Sequence, residues 1–187
     1  MARERSRSKI KILIADDHAI FRDALCKLLD SDDEITIVGE ARNGAECIIK
    51  LGALKPDILL LDLRMPVKSG LAVLEEVNFD AVPTRVIVLT AAEDDRDLVR
   101  AMRLGARGVV LKESAINLLI KCIHRVHAGE IWLDSHTTAE VIGAFSASSK
   151  SGARSEKPLL SDREMELVQL VVQGLSLIHI SEPTRPY

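Results

Sequence analysis

The chain has 187 residues, 47% of them hydrophobic, enough for one ordinary domain with its own core plus a smaller appendage. A net charge of -3 excludes a protein that is basic throughout, so any nucleic-acid binding would have to reside in one local patch. No run is long enough to span a bilayer, and the opening MARERSRSK carries charge without a following apolar signal region, which points to the cytoplasm.

The first nine residues read as a basic, disordered tail, a solvated extension rather than a DNA arm. Ile10 to Ala15 is a strand that ends at Asp16-Asp17. Phe21, Leu25, Leu28 and Leu29 then recur at helical spacing, so one face of that helix packs on a sheet. Ile35 to Val38 reads as a second strand. Asn43 is placed to cap a helix running to about Leu54, which Lys55-Pro56 breaks.

The stretch DILLLDLRMPVKSG, Asp57 to Gly70, is the centre of the pattern. Its unbroken apolar run, Ile58 to Leu61, suits a strand buried on both faces, as in parallel sheets covered by helices. The run stops on Asp62, at the edge where open α/β sheets bind ligands. A lone acid there is commonly just a turn or a cap. Pro66 ends strand pairing, and Gly70 can open the next helix after a tight loop.

Leu71, Leu74 and Val77 mark a third helix and Arg85 to Thr90 a fourth strand. A helix from about Asp94 to Leu104 ends at Gly105, a C-cap candidate. Gly108 to Leu111 reads as a short fifth strand finishing at Lys112. Ser114 is placed to cap a last helix that buries Ile116, Leu119, Ile120, Ile123 and Val126. Trp132 is expected to pack against the domain edge. The stretch Ser146 to Lys157, SASSKSGARSEK, reads as a flexible linker. Ser161 and Glu164 then form a capping box ahead of the apolar stripe Leu167, Leu170 and Val171.

Strands alternating with helices predict an α/β fold, a doubly wound five-stranded parallel sheet. Right-handed crossovers bring all strand carboxyl ends to one edge. There Asp16 and Asp17 close strand one, Asp62 strand three, Thr90 strand four and Lys112 strand five. Three converging carboxylates repel one another, so one takes a proton or the group holds a cation, and oxygen-only ligands suit magnesium. With that ion bound and Lys112 adding positive charge, Asp62 can attack an anionic phosphoryl group while the Thr90 hydroxyl bonds the product. The expected product is an aspartyl phosphate.

Other polar residues have plainer readings. His18 suits a helix start or surface position better than a metal ligand. His124 and His127 share a helix face without a third ligand nearby and are expected to be solvated. Glu93-Asp94-Asp95 reads as a charged helix start. Cys26, Cys47 and Cys122 are odd in number and widely separated, as expected of reduced intracellular thiols.

Asp16-Asp17, Asp62 within DLRMP, Thr90 within VIVLTA and Lys112 within GVVLKE together resemble the receiver domain of two-component response regulators, over about Ile10 to Gly129. The resemblance implies the sheet order 2-1-3-4-5 and phosphorylation of Asp62 by a sensor histidine kinase. It also implies a magnesium site made by Asp17, Asp62 and the backbone carbonyl of Arg64, with Asp16 assisting through water, and a sensing role for Lys112 and Thr90. DDHAIFRDAL, AGEIWLDS and LSDREMELVQLVVQG are similar to the NarL/FixJ class, which implies a LuxR-type helix-turn-helix that binds DNA and a phosphorylation-dependent homodimer. The place three before the lysine, usually Tyr or Phe in receivers, is Val109, which has no ring to rotate.

The expected organisation is a tail (1–9), a receiver (10–130), a linker (131–158) and the first helix of a truncated DNA-binding domain (159–174). The final stretch, 175–187, resembles translated sequencing adapter and holds Pro183 and Pro186, so it is not expected to supply a recognition helix. DNA is therefore expected to bind the intact protein and not this chain. Two alternatives differ in kind. A stand-alone receiver would act through protein contacts, whereas a haloacid dehalogenase-type enzyme would need an acid two residues after Asp62, where Arg64 stands.

Overall fold

The structure, a computed structural model, describes residues 8–79, 81–91 and 95–133. The expected linker from residue 134 on, the helix-turn-helix fragment and the final stretch lie outside the described residues, as do Glu93-Asp94, most of the basic tail and the burial of Ile116.

Five strands and five helices alternate along the chain. They are β1 (Ile10–Ala15), α1 (Ala19–Leu29), β2 (Ile35–Ala41), α2 (Gly44–Leu54), β3 (Ile58–Asp62), α3 (Gly70–Glu76), β4 (Arg85–Thr90), α4 (Asp95–Arg103), β5 (Ala106–Leu111) and α5 (Ala115–His127). The sheet order is β2-β1-β3-β4-β5 and every pairing is parallel. β3 is central and all five of its residues are buried, as its unbroken apolar run requires.

Alternation along the strands sends side chains to two faces. On one, Ile12, Ile14, Ile58, Leu60, Ile87 and Leu89 meet Leu25 and Leu29 of α1 and Leu119, Ile123 and Val126 of α5. The opposite strand positions, among them Leu13, Leu59, Leu61, Val86 and Val88, are equally buried. α2, α3 and α4 follow one another in contact there, with Cys47, Leu51, Val73, Leu74, Leu98 and Met102 inside. All three cysteines are free, and burial pushes the Cys47 thiol up to about 12.

Several boundaries and faces differ from the sequence expectations. β2 continues three residues beyond Val38 to Ala41, because β1 offers partners along its whole length. β5 begins at Ala106, two residues early, for the same reason along β4. α3 buries Gly70, Val73 and Leu74, while Val77 has left the helix as its C-cap and Leu71 is half-buried. The inward stripe is set by where β3 delivers the chain and not by the largest side chains.

Local signals explain the ends that agree. The Asn43 side chain accepts from the Glu46 N–H at 2.9 Å, and Glu46 accepts in turn from the Arg42 N–H. Gly105 has φ +109, a conformation that ends α4 without the steric cost a Cβ would bring. Ser114 precedes α5 as expected but makes no side-chain cap hydrogen bond. Trp132 does pack at the domain edge: its backbone N–H donates to the Arg107 carbonyl and its carbonyl accepts from the Val109 N–H, so the chain after α5 returns to the open edge of β5.

Candidate functional site

The carboxyl ends of β1, β3, β4 and β5 meet at one edge of the sheet, where Asp16, Asp17, Asp62, Thr90 and Lys112 are found. Asp16 follows the last residue of β1 and is fully buried; Asp62 is the last residue of β3 and is 3% exposed. Asp17 is more open. One atom each from Asp16, Asp17, His18 and Asp62 lies within 4.8 Å of all the others. Lys112 follows β5 and extends its amine into this corner, 2.7 Å from Asp62 Oδ2 and 2.8 Å from Asp16 Oδ2. Thr90 ends β4, and its carbonyl accepts from the Lys112 N–H at 2.8 Å. Arg64 lies two residues past Asp62, and its N–H donates to Asp62 Oδ1 at 3.0 Å, fixing the carboxylate plane.

The electrostatics are opposed rather than neutral. Burial raises the Asp62 carboxyl above its ordinary range, against the bonds from Lys112 and Arg64, and the Asp16 charge raises it further. Burial also works against the Lys112 charge, but its contacts with Asp16 and Asp62 outweigh that effect and hold the ammonium above its ordinary value. Three carboxylates thus face one lysine, and negative charge is left over. Asp16 Oδ2 is buried with the Lys112 ammonium as its partner. An oxygen-rich corner in which one lysine meets three clustered carboxylates fits a small, hard divalent cation such as magnesium.

The loop after β3 is held tightly against the site. Gly70 approaches so closely that an added Cβ would lie 2.1 Å from the Asp62 carbonyl oxygen. Between them Val67 has φ +66 and lies inside a three-residue turn closed by Lys68 N–H to the Pro66 carbonyl. A β-branched residue in that region is strained, and such strain gathers where a site dictates the path of the chain.

Three contributors were not assigned to the site by sequence reasoning. Arg22 is 7% exposed, and its guanidinium donates to the Asp16 carbonyl at 2.8 Å and to Glu40 Oε2 at 3.3 Å. The signal was available, because position 22 lies three before Leu25 and seven before Leu29, on the buried stripe of α1. Phe21, read as a core-facing residue, lies with its ring centroid 5.0 Å from the Lys112 amine. His18, read as a helix start, is indeed exposed and the N-cap of α1, yet Nδ1 lies 2.9 Å from Asp17 Oδ1.

One expectation elsewhere is overturned. His124 is not simply solvated: its Nε2 lies 2.8 Å from Asp32 Oδ2, tying α5 to the turn after α1, and this bond lowers the Asp32 carboxyl below its ordinary range.

Comparison with known proteins agrees with this geometry. Residues 12–124 match the response regulator receiver domain. Over 177 residues the chain is 33% identical to the oxygen regulatory protein NreC of Staphylococcus aureus, covering 92% of this chain and 82% of that protein. The receiver domain of the response regulator NarL from Mycobacterium tuberculosis superposes with a TM-score of 0.62 at 32% identity, over 66% of this chain and 99% of that one. A LuxR-family DNA-binding response regulator from Staphylococcus aureus gives 0.60 at 26% identity, over 63% and 98%. A five-stranded parallel sheet in this order, with acids, hydroxyl and lysine at its strand ends and such relatives along most of its length, places the chain in the response regulator receiver family, with regulators of the NarL and LuxR type among its kin.

Proposed function

We propose that Asp62 takes a phosphoryl group from a sensor histidine kinase and that the resulting change controls transcription through a LuxR-type DNA-binding domain. The observation that carries this reading is the Lys112 amine, brought within 2.8 Å of both Asp16 and Asp62 from a strand 50 residues beyond Asp62. An ammonium placed there cancels charge on a phosphoryl group arriving at Asp62, which otherwise meets only like charge.

The chemistry uses the chain's own groups as follows. The Arg64 N–H holds Asp62 Oδ1 and so orients the carboxylate. An Asp62 oxygen forms the new P–O bond while the P–N bond of the donor phosphohistidine breaks, its electron pair returning to the imidazole. Lys112 stays beside the transferring oxygens. The Thr90 hydroxyl bonds the product, and because the Thr90 carbonyl is tied to the Lys112 N–H, a shift of either residue moves the other. Asp16, Asp17, Asp62 and the backbone carbonyl of Arg64 would hold magnesium, which when bound neutralises phosphoryl charge. The protein is thus a phosphoacceptor that assists its own modification and not an enzyme turning over a separate substrate. Arg64 in the place where a dehalogenase-type enzyme needs an acid supports the same choice.

The proposed setting is the cytoplasm, with a phosphorylation-dependent homodimer as the active form; among the described residues no helix is long and apolar enough to cross a membrane. Beryllofluoride with magnesium tests the reading. A magnesium-dependent change in structure or association is expected in the wild type and absent in Asp62→Asn, whereas steady hydrolysis of phosphate esters would favour the enzyme instead.

A further inference from the structure

We propose that Phe21 is a positioning residue for Lys112, holding the ammonium over Asp62 while the carboxylates around it exchange partners. The inference rests on the proposed phosphoryl transfer to Asp62.

Lys112 reaches the corner on a flexible four-carbon stem, so the place of its amine is set by what holds the head group. Three neighbours do so: Asp16 Oδ2 at 2.8 Å, Asp62 Oδ2 at 2.7 Å, and the Phe21 ring with its centroid at 5.0 Å. The two carboxylates are temporary holders. Asp16 belongs to the group of oxygens that suits a divalent cation, and an Asp62 oxygen becomes part of the acyl phosphate. Each loses negative charge available to the lysine as the reaction proceeds. The ring neither titrates nor binds the cation, and the negative face of an aromatic attracts an ammonium throughout.

The placement of Phe21 fits this role better than core filling alone. It is half-buried, unlike Leu25 and Leu29 on the same stripe, which are 1% and 0% exposed. It stands in the first turn of α1 beside Arg22, whose guanidinium fixes the Asp16 carbonyl, so one helical turn supports both the acid and the base of the corner. Val109, three residues before the lysine, is fully buried and brings no ring to the site. Among the described residues, the Phe21 ring is the aromatic face placed against this amine.

The test compares Phe21→Leu and Phe21→Met, which keep apolar bulk, with Phe21→Tyr and Phe21→Trp, which keep an aromatic face. Asp62 is phosphorylated with acetyl phosphate or phosphoramidate in saturating magnesium, and urea midpoints are recorded alongside. The Leu and Met variants should be phosphorylated about three- to tenfold more slowly while remaining folded, and the Tyr and Trp variants should recover to within about twofold of wild type. The Lys112 ε-methylene proton shift, displaced upfield by the ring in the wild type, should return toward its free value in Leu and Met. A folded Leu or Met variant that matches the wild-type rate, or aromatic variants no faster than Leu, overturns the proposal. If the wild type itself takes no phosphoryl group, the functional reading fails; an upfield Lys112 shift would then show that the contact exists without that use.

Discussion

Asp57 lies one residue before β3 and Asp62 is its last residue, so two aspartates mark the ends of one central strand. At the amino end the chain closes its polar groups locally. Asp57 is half-buried, its carboxylate accepts from the Lys11 N–H at 2.8 Å, and its backbone bonds Lys11 and Arg85. Nearby, the Thr84 hydroxyl donates to the Pro56 carbonyl at 2.6 Å. At the carboxyl end Asp62 is buried beside Asp16, shares Lys112 with it, and is raised by its burial. The same residue type on nearly the same strand is therefore a structural acceptor at one end and a buried, charged centre at the other. A parallel sheet makes this difference, because all strands deliver their carboxyl ends, and the loops after them, to one edge.

The comparison can be broken most sharply at Gly70. Phe, Leu or any other Cβ-bearing residue there meets the Asp62 carbonyl, so Gly70→Ala should cost about 3 kcal/mol in urea unfolding. A loss below about 1 kcal/mol would show that the loop after β3 can give way. Arg22→Met should cost about 2 kcal/mol, because it leaves the Asp16 carbonyl and Glu40 without their buried donor. It should also weaken magnesium binding, measured by titration calorimetry.

At the other end of the strand, Thr84→Val removes one hydrogen bond to the Pro56 carbonyl and should cost about 1 kcal/mol, without changing the beryllofluoride response. Loss of that response would mean that the two edges are coupled. The finest test exchanges charge alone. Because the Asp62 carboxyl is raised in the folded state, the folded protein holds its proton more tightly than the unfolded chain does. Asp62 therefore lowers stability progressively as pH rises from the ordinary value of 3.8 through the raised one. Asp62→Asn should then be more stable than wild type at neutral pH, with the difference vanishing below about pH 4. Asp57→Asn, which keeps an acceptor for the Lys11 N–H, should stay within about 0.5 kcal/mol of wild type in urea unfolding.

Much of this arrangement was legible along the chain, and the reasons are specific. The run Ile58 to Leu61 can be buried on both faces only in the middle of a covered sheet, and the polar residues that end or follow four of the strands mark its ligand edge. Asn43 and Gly105 announced helix ends because cap chemistry is local. The inward face of α3 was legible only at Leu74: Leu71 and Val77 are as apolar as Val73, and the choice depends on how closely Gly70 can approach Asp62. Nor was the bond between His124 and Asp32, which lie 92 residues apart on elements whose packing no local pattern specifies.

The sequence by itself determined the alternation of strands and helices, the apolar centre of β3 and the acids, hydroxyl and lysine at the strand ends, because periodicity, caps and chain order are properties of neighbouring residues. Only the tertiary structure decided that Lys112 would lie between Asp16 and Asp62, that Arg22 would be drawn inside to hold the Asp16 carbonyl, and that the Phe21 ring would face the ammonium. Those contacts depend on distance between elements brought together by sheet pairing, where burial strengthens every charge and leaves each one in need of a partner.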